Sequence, residues 1–159
     1  MLLSPRYVVG DATQPQGSGT KIIVHICNDV GGWGAGFVLA LSKRWREPEA
    51  EYRRWHRDNS SGDFSLGSVQ LVQVQPDIFV ANLIGQRDVR ARAGQPPIRY
   101  EAVRTGLARL REQALPLRAS IHMPRIGCGL AGGRWDEIEP LVIEELLRYG
   151  IDVTVYDLR

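Results

Sequence analysis

Two glycine-rich stretches hold the residue types best suited to chemistry in this sequence. The first runs Asn28-Asp29-Val30-Gly31-Gly32-Trp33-Gly34-Ala35-Gly36. The second runs Arg125-Ile126-Gly127-Cys128-Gly129-Leu130-Ala131-Gly132-Gly133. Glycine lets the backbone approach a ligand closely and turn successive N–H groups toward it. A helix starting just after such a turn adds partial positive charge, so each stretch is a candidate cradle for an anion. Two cradles opening on one crevice would suit a diphosphate. Neither stretch contains GxxxxGK followed by Ser or Thr, and neither is a clean GxGxxG with an acid about twenty residues on, so a P-loop hydrolase and a Rossmann site are both disfavoured. Glycine loops also make ordinary tight turns. What tilts the reading toward a site is that both follow apolar runs suited to buried strands.

The other reactive side chains are scattered. Cys27 and Cys128 lie far apart with no CxxC, and His25, His56 and His122 form no cluster, so neither a disulfide scaffold nor a metal site is expected. Cys27 reads as an inert strand residue. Cys128 has the position of a thiol near a helix N-terminus, although small size is the simpler reason for it. Arg125 follows a strand and suits either a phosphate or the carbonyls of its own loop. Arg87, Arg90, Arg92 and Arg99 surround Gly94 and Pro96-Pro97, a basic stretch that is either a solvated loop or a flap against a polyanion.

The elements that must position these residues follow from hydrophobic spacing. Arg6 to Val9 is a short strand ending in Gly10-Asp11, and Lys21 to Cys27 (KIIVHIC) suits a strand buried on both faces. Phe37, Leu41 and Trp45 have helical spacing, and a second helix is predicted over Glu49 to Asp58. Val69 to Val74 and Ile78 to Ile84, joined by Gln75-Pro76-Asp77, predict a β-hairpin. Gly85 to Pro97 is irregular. Tyr100 to Leu115 is an amphipathic helix ended by Pro116, Ile121 to Pro124 a strand, Asp136 to Tyr149 a helix closed by Gly150, and Ile151 to Leu158 the last strand. This mixture predicts an α/β fold, a three-layer α/β/α sandwich around a mixed sheet of about six strands. No repeat or linker divides residues 1–159, so one domain is expected. Hydrophobic residues are 43%, charged residues 24% and the formal net charge is +2, which argues for no global attraction to nucleic acid or membrane. With no signal-peptide pattern and no apolar run of spanning length, a soluble, cytoplasmic monomer is expected.

Together these stretches resemble the macrodomain family. The resemblance rests on Val24-His25-Ile26-Cys27-Asn28 with Trp33-Gly34-Ala35-Gly36, on Met123-Pro124-Arg125-Ile126-Gly127-Cys128-Gly129-Leu130 with Trp135, on Thr154-Val155-Tyr156-Asp157-Leu158, and on Gly10-Asp11-Ala12-Thr13. It covers essentially the whole chain in order. It is nearest the subgroup containing terminal ADP-ribose protein glycohydrolase and the DNA-thymidine ADP-ribosyl hydrolase antitoxins, and His25 to Gly36 is also similar to the yeast ADP-ribose-1″-phosphate phosphatases.

The resemblance implies the roles. Asp11 would accept from the adenine amino group, with Ala12 beside the ring, although an Asx-turn is the plainer alternative. Tyr156 and Leu158 would wall the adenine, or simply pack in the core. Gly34, Ala35 and Gly36 would be the first phosphate loop, and Arg125, Ile126, Gly127, Cys128, Gly129 and Leu130 the second. Asn28 and Asp29 would face the distal ribose, or serve as turn and cap residues, and His25 is a further catalytic candidate. The family lysine and aspartate of the glycohydrolases fall on Gln86 and Ala131, and Lys21 and Lys43 are the only lysines, which rules out a lysyl adduct at that place. The implied activity is hydrolysis by water of mono-ADP-ribose from acidic protein side chains or DNA bases, with Gln86 and Asn28 positioning the water. No cofactor is implied. The partners would be ADP-ribose and ADP-ribosylated protein or DNA, with nucleic-acid contact through Arg87, Arg90 and Arg92. A non-catalytic ADP-ribose reader and an ADP-ribose-1″-phosphate phosphatase are the alternatives.

Overall fold

The computed structural model describes residues 3–59, 62–91 and 94–158. Six strands form one sheet: β1 (Arg6–Val9), β2 (Lys21–Asn28), β3 (Val69–Gln75), β4 (Ile78–Gln86), β5 (Ser120–Met123) and β6 (Val153–Asp157), in the order β1-β6-β5-β2-β4-β3. The first five in that order run parallel, and β3 closes the edge antiparallel to β4. The helices are α1 (Phe37–Arg44), α2 (Glu47–Arg57), α3 (Tyr100–Leu117) and α4 (Trp135–Glu145). The mixed sheet between helical layers is the architecture expected from the sequence.

β2 explains why the layers form. It pairs with β4 on one side and β5 on the other, so both its faces need cover. Ile22 and Val24 pack with Ala81, Leu83, Ile121 and Met123 against Leu107 and Leu110 of α3 and Ile138 and Val142 of α4. Ile23 and Cys27 point the other way and pack with Val80, Ile84, Leu41, Trp33 and Tyr52. Each fully buried aliphatic side chain contributes about 1.5–3 kcal/mol.

Several boundaries differ from the prediction by a residue or more, and the following differences have a local reason. Pro116 lies inside α3, because near the end of a helix a missing N–H costs only one bond. The helix stops at Arg118, left-handed at φ 52°, whose N–H bonds back to Leu115 and Ala114. The last predicted helix breaks at Leu146 (φ −119°, ψ −61°) into a 3₁₀ turn, Leu147–Tyr149, closed by Gly150 at φ 81°. β2 and β4 run on to Asn28 and Gln86, which face each other across a register shift. Two residues singled out in the sequence therefore end adjacent strands.

Candidate functional site

Because five strands are parallel, their carboxyl ends share one edge, where ligands of open α/β sheets bind. Gly10-Asp11 follows β1, Pro124-Arg125 follows β5 and Leu158 follows β6. Two cavities open there. The larger, about 410 Å³, is lined by His25, Ala35, Gly36, Gln86 and, from the second turn, Arg125 to Gly127 and Gly129 to Ala131. The smaller, about 390 Å³, is lined by Asp11, Ala12, Thr13, Tyr156, Leu158 and one side of α1. Phe37 and Pro124 line both, so the two are lobes of one cleft.

In the smaller lobe, Asp11 makes the Asx-turn the sequence allowed. One carboxylate oxygen accepts from the Thr13 N–H (2.9 Å) and hydroxyl (2.8 Å), an Asx-turn. The other oxygen has no protein donor among the described residues. Tyr156 is 3% exposed, with its hydroxyl bonded to the Gln16 N–H (2.8 Å) and to His122 Nδ1 (2.7 Å), so its ring is a fixed wall. Leu158 is the exposed rim, and Ala12 is buried beside Asp11.

The larger lobe is formed by backbone. Gly36, at φ 82°, turns loop one into α1, whose first turn carries no side-chain cap and no acid. Loop two is closed by a bond from the Gly133 N–H to the Gly127 carbonyl (2.7 Å), and a Cβ on Gly133 would come within 2.4 Å of that oxygen, so only glycine fits. The N–H groups of Ala35, Gly36, Gly127, Gly129 and Leu130 meet no protein acceptor among the described residues. The loops touch across the cleft, Leu130 lying 3.5 Å from where a Gly36 Cβ would stand. One expectation changes: α4 lends loop two no positive end, because Asp136 and Glu137 occupy its first turn. The second cradle is a nest of the turn alone.

Several sequence candidates are engaged in holding the loops, and of these Arg125 also lines the larger lobe. Asn28 is 7% exposed and its amide oxygen is spent: Oδ1 accepts from the Val30 and Gly32 N–H groups and the Tyr52 hydroxyl, and Nδ2 donates one hydrogen to the Gly32 carbonyl. The second N–H of Nδ2 has no protein acceptor among the described residues. Asp29 accepts from the Asp88 N–H (2.7 Å), tying loop one to the segment after β4. Arg125 grips Asp157 through two bonds (2.8 and 3.0 Å) and lies over the Tyr7 and Trp135 rings. The guanidinium holds the Asp157 carboxyl below its usual range and is itself charge-balanced. Cys128 is not part of the lining. Its thiol donates to the Ile126 carbonyl (3.4 Å), and burial raises its pKa, the opposite of a nucleophile's environment. Gly34 also lies off the lining.

His25 and Gln86 do line the larger lobe. Gln86 Nε2 donates to the Asp88 carbonyl (2.9 Å), which leaves Oε1 uncommitted among the described residues. Ala131 lines the lobe as well, so the two places where the resemblance puts a lysine and an aspartate are both at the cleft, occupied by an amide and a methyl. Among the described lining residues none is Lys, Asp or Glu. His25 is 2% exposed; burial lowers its pKa to about 4 and keeps it neutral. Of the basic stretch, Arg87 and Arg90 are exposed. Arg99 is bound to the carbonyls of Pro96, Pro97 and Ile98, and Arg92 lies outside the described residues. Among the described residues no group of His, Cys, Asp or Glu could hold a metal ion.

Sequence reading missed Phe37 and Pro124 as shared walls, Tyr52 as the anchor of loop one, and Asn82 behind His25. Only Asn82 left a signal, a lone amide within the apolar run Ile78 to Ile84.

Fold and cleft together define a three-layer α/β/α protein with a strand-end pocket walled by two glycine turns. The chain belongs to the macrodomain family. It is 56% identical to a macrodomain protein from Streptomyces coelicolor, with a TM-score of 0.86 over 96% of this chain and 97% of that one. A Bacteroides thetaiotaomicron protein of unknown function superposes at TM-score 0.95 with 54% identity, over 98% and 99% of the two chains. Among curated relatives, the zebrafish (Danio rerio) chromodomain-helicase-DNA-binding protein 1-like is 34% identical over 97% of this chain, and the alignment spans only 16% of that protein's length. An ADP-ribose 1″-phosphate phosphatase from Meyerozyma guilliermondii is 25% identical over 94% of this chain and 96% of its own. No family model matches the chain.

Proposed function

We propose that the cleft binds ADP-ribose and that the protein hydrolyses the bond between ADP-ribose and an acceptor. The carrying observation is the pairing of an apolar lobe bearing a carboxylate oxygen, on Asp11, with a second lobe edged by five backbone N–H groups, all of them without a protein partner among the described residues. The adenine amino group suits Asp11, the ring suits Tyr156, and the diphosphate suits Ala35, Gly36 and the Gly127 to Leu130 turn. The distal ribose then falls beside Gln86 and His25. The name of the Meyerozyma relative supports an ADP-ribosyl ligand.

In the reaction, a water oxygen bonds to the anomeric carbon of the distal ribose. The bond from that carbon to the acceptor breaks, and the acceptor departs with the electron pair. The water gives up one proton and the acceptor gains one. Gln86 Oε1 orients the water or a ribose hydroxyl, and the bound diphosphate serves as a weak base. With no lysine at the lobe, no covalent lysyl intermediate enters. Exposed Arg87 and Arg90 beyond Gln86 favour an acceptor carried on a polyanion such as DNA over an isolated acidic side chain.

A second reading is a non-catalytic ADP-ribose binder, favoured by the absence of Lys, Asp and Glu among the described residues lining the larger lobe. A third is phosphatase action on ADP-ribose 1″-phosphate, favoured by that relative and by His25. Mass spectrometry of products from ADP-ribosylated protein, ADP-ribosylated thymidine DNA and ADP-ribose 1″-phosphate separates the three. Saturable heat with ADP-ribose and turnover of none leaves the binder. No heat at millimolar ligand on folded protein rejects the site.

A further inference from the structure

Behind the larger lobe lies a buried chain of polar groups whose direction can be worked out from its far end. Backbone carbonyls only accept hydrogen bonds. The Glu51 carbonyl of α2 is bonded to Gln70 Nε2 (3.0 Å), which makes Gln70 Oε1 an acceptor. That oxygen is bonded to Asn82 Nδ2 (3.0 Å), and the same nitrogen donates to the Pro48 carbonyl (3.2 Å). Asn82 Oδ1 is therefore the acceptor facing His25, and His25 Nε2, 2.6 Å away, must carry the hydrogen. Neutral imidazole has one N–H, so Nδ1 keeps a lone pair. Among the described residues, His25 Nδ1 is the buried side-chain polar atom left without a partner. Leaving it so carries the desolvation penalty of an unmade hydrogen bond, a standing preference for any donor that reaches it. The ring is edged by Trp33 and Phe37, and His25, 2% exposed, lines the larger lobe, which is the open space beside it.

We propose that Asn82 is a positioning residue of the cleft: backed by Gln70 and two α2 carbonyls, it fixes His25 in the Nε2–H tautomer and leaves Nδ1 as a bare acceptor for an O–H donor in the larger lobe. Asn82 is fully buried and itself touches no ligand space. Cys27 Sγ, 3.7 Å from Nε2, is the other titratable group against the ring, and burial keeps that thiol protonated. Burial likewise keeps the imidazole neutral at physiological pH, so the acceptor is not lost to protonation. The identity of the donor, a distal-ribose hydroxyl or the water beside it, rests on the ADP-ribose reading above. The tautomer does not.

The test is two-bond ¹H–¹⁵N correlation of the whole chain labelled at histidine. In the free protein His25 is expected with Nε2 protonated and Nδ1 unprotonated; a protonated Nδ1, or two tautomers in exchange, overturns the proposal. In Asn82→Leu the single tautomer should be lost. Asn82→Asp, which keeps an acceptor toward Nε2, should keep Nε2 protonated, and the wild-type spectrum decides the tautomer whether or not the leucine variant folds. Nδ1 moving with ADP-ribose and not with ADP identifies the ribose hydroxyl, and equal movement with both identifies a water. No movement with either bound nucleotide overturns the acceptor role. If calorimetry shows that neither nucleotide binds, the ADP-ribose reading fails while the tautomer is still decided on free protein. On an acceptor the wild type cleaves, Asn82→Leu should lower kcat by about 10- to 100-fold with KM within about threefold.

Discussion

Replacing Asn28 by alanine separates a loop-holding amide from a catalytic one. The side chain makes four hydrogen bonds: it accepts from Val30 N–H (3.0 Å), Gly32 N–H (2.9 Å) and Tyr52 O–H (2.9 Å), and donates to the Gly32 carbonyl (2.9 Å). Val30 is exposed, so water replaces its partner at little cost, and Tyr52 keeps its bond to the residue 28 carbonyl (2.6 Å). The loss falls on the two bonds to half-buried Gly32. At roughly 1–2 kcal/mol each, counting stranded partners, the variant should be destabilised by about 2–4 kcal/mol. In a chain of this size that lowers Tm by about 5–15 °C. Because Gly32 and Val30 set the path of loop one toward Gly36, ADP-ribose affinity should fall alongside stability. Scanning calorimetry gives the first number and titration calorimetry the second. A variant with wild-type Tm and affinity but turnover reduced about 100-fold or more would refute this reasoning and return Asn28 to the chemistry.

Asp11→Asn keeps the Asx-turn oxygen but puts an amide donor against the adenine amine. ADP-ribose affinity should drop at least about tenfold with Tm little changed, and equal affinity by calorimetry would remove Asp11 from adenine recognition. Arg125→Gln should change affinity by less than about fivefold, because the wild-type guanidinium is already spent on Asp157 in an exposed pair worth about 0–1 kcal/mol; a hundredfold loss would make it a phosphate ligand after all. Burial lowers both His25 and His122 to about 4 from the usual 6.5, so the folded state binds fewer protons than the unfolded one between those values. Stability is therefore full above pH 6.5 and declines as pH falls toward 4, by about 3 kcal/mol per histidine at most. Thermal melts from pH 7 to pH 4 should show this decline, shallower in His122→Gln, and a flat profile would contradict it.

What the sequence made legible is what short-range physics decides. KIIVHIC has no polar face to offer water, so it had to be a strand covered on both sides, and β2 between β4 and β5 is that strand. The turn at Gln75-Pro76-Asp77 between two β-rich runs required the hairpin. The glycine stretches were legible as turns, and because both follow parallel strands of one sheet, their meeting at one cleft followed from topology. Side-chain roles were another matter, because they depend on partners distant in sequence. Asn28 is committed by Tyr52, Arg125 by Asp157 and Asp29 by Asp88. Nothing at those positions alone reveals whether a polar group is free or already spent.

The same distinction bears on how this cleft can work. Once the committed groups are set aside, the larger lobe offers backbone N–H groups, one amide oxygen on Gln86 and one imidazole nitrogen on His25. All are neutral, and of the ionisable side chains at the wall Arg125 is paired and His25 is uncharged. Such a lobe has little with which to drive proton transfer by charge. Whatever rate the proposed hydrolysis achieves would come from fixed dipoles and from the ligand's own phosphates, already in place before the bond breaks. Under the proposed hydrolysis, residues that hold dipoles still, Asn28 for the first loop and Asn82 for His25, would then matter as much as those that touch the ligand.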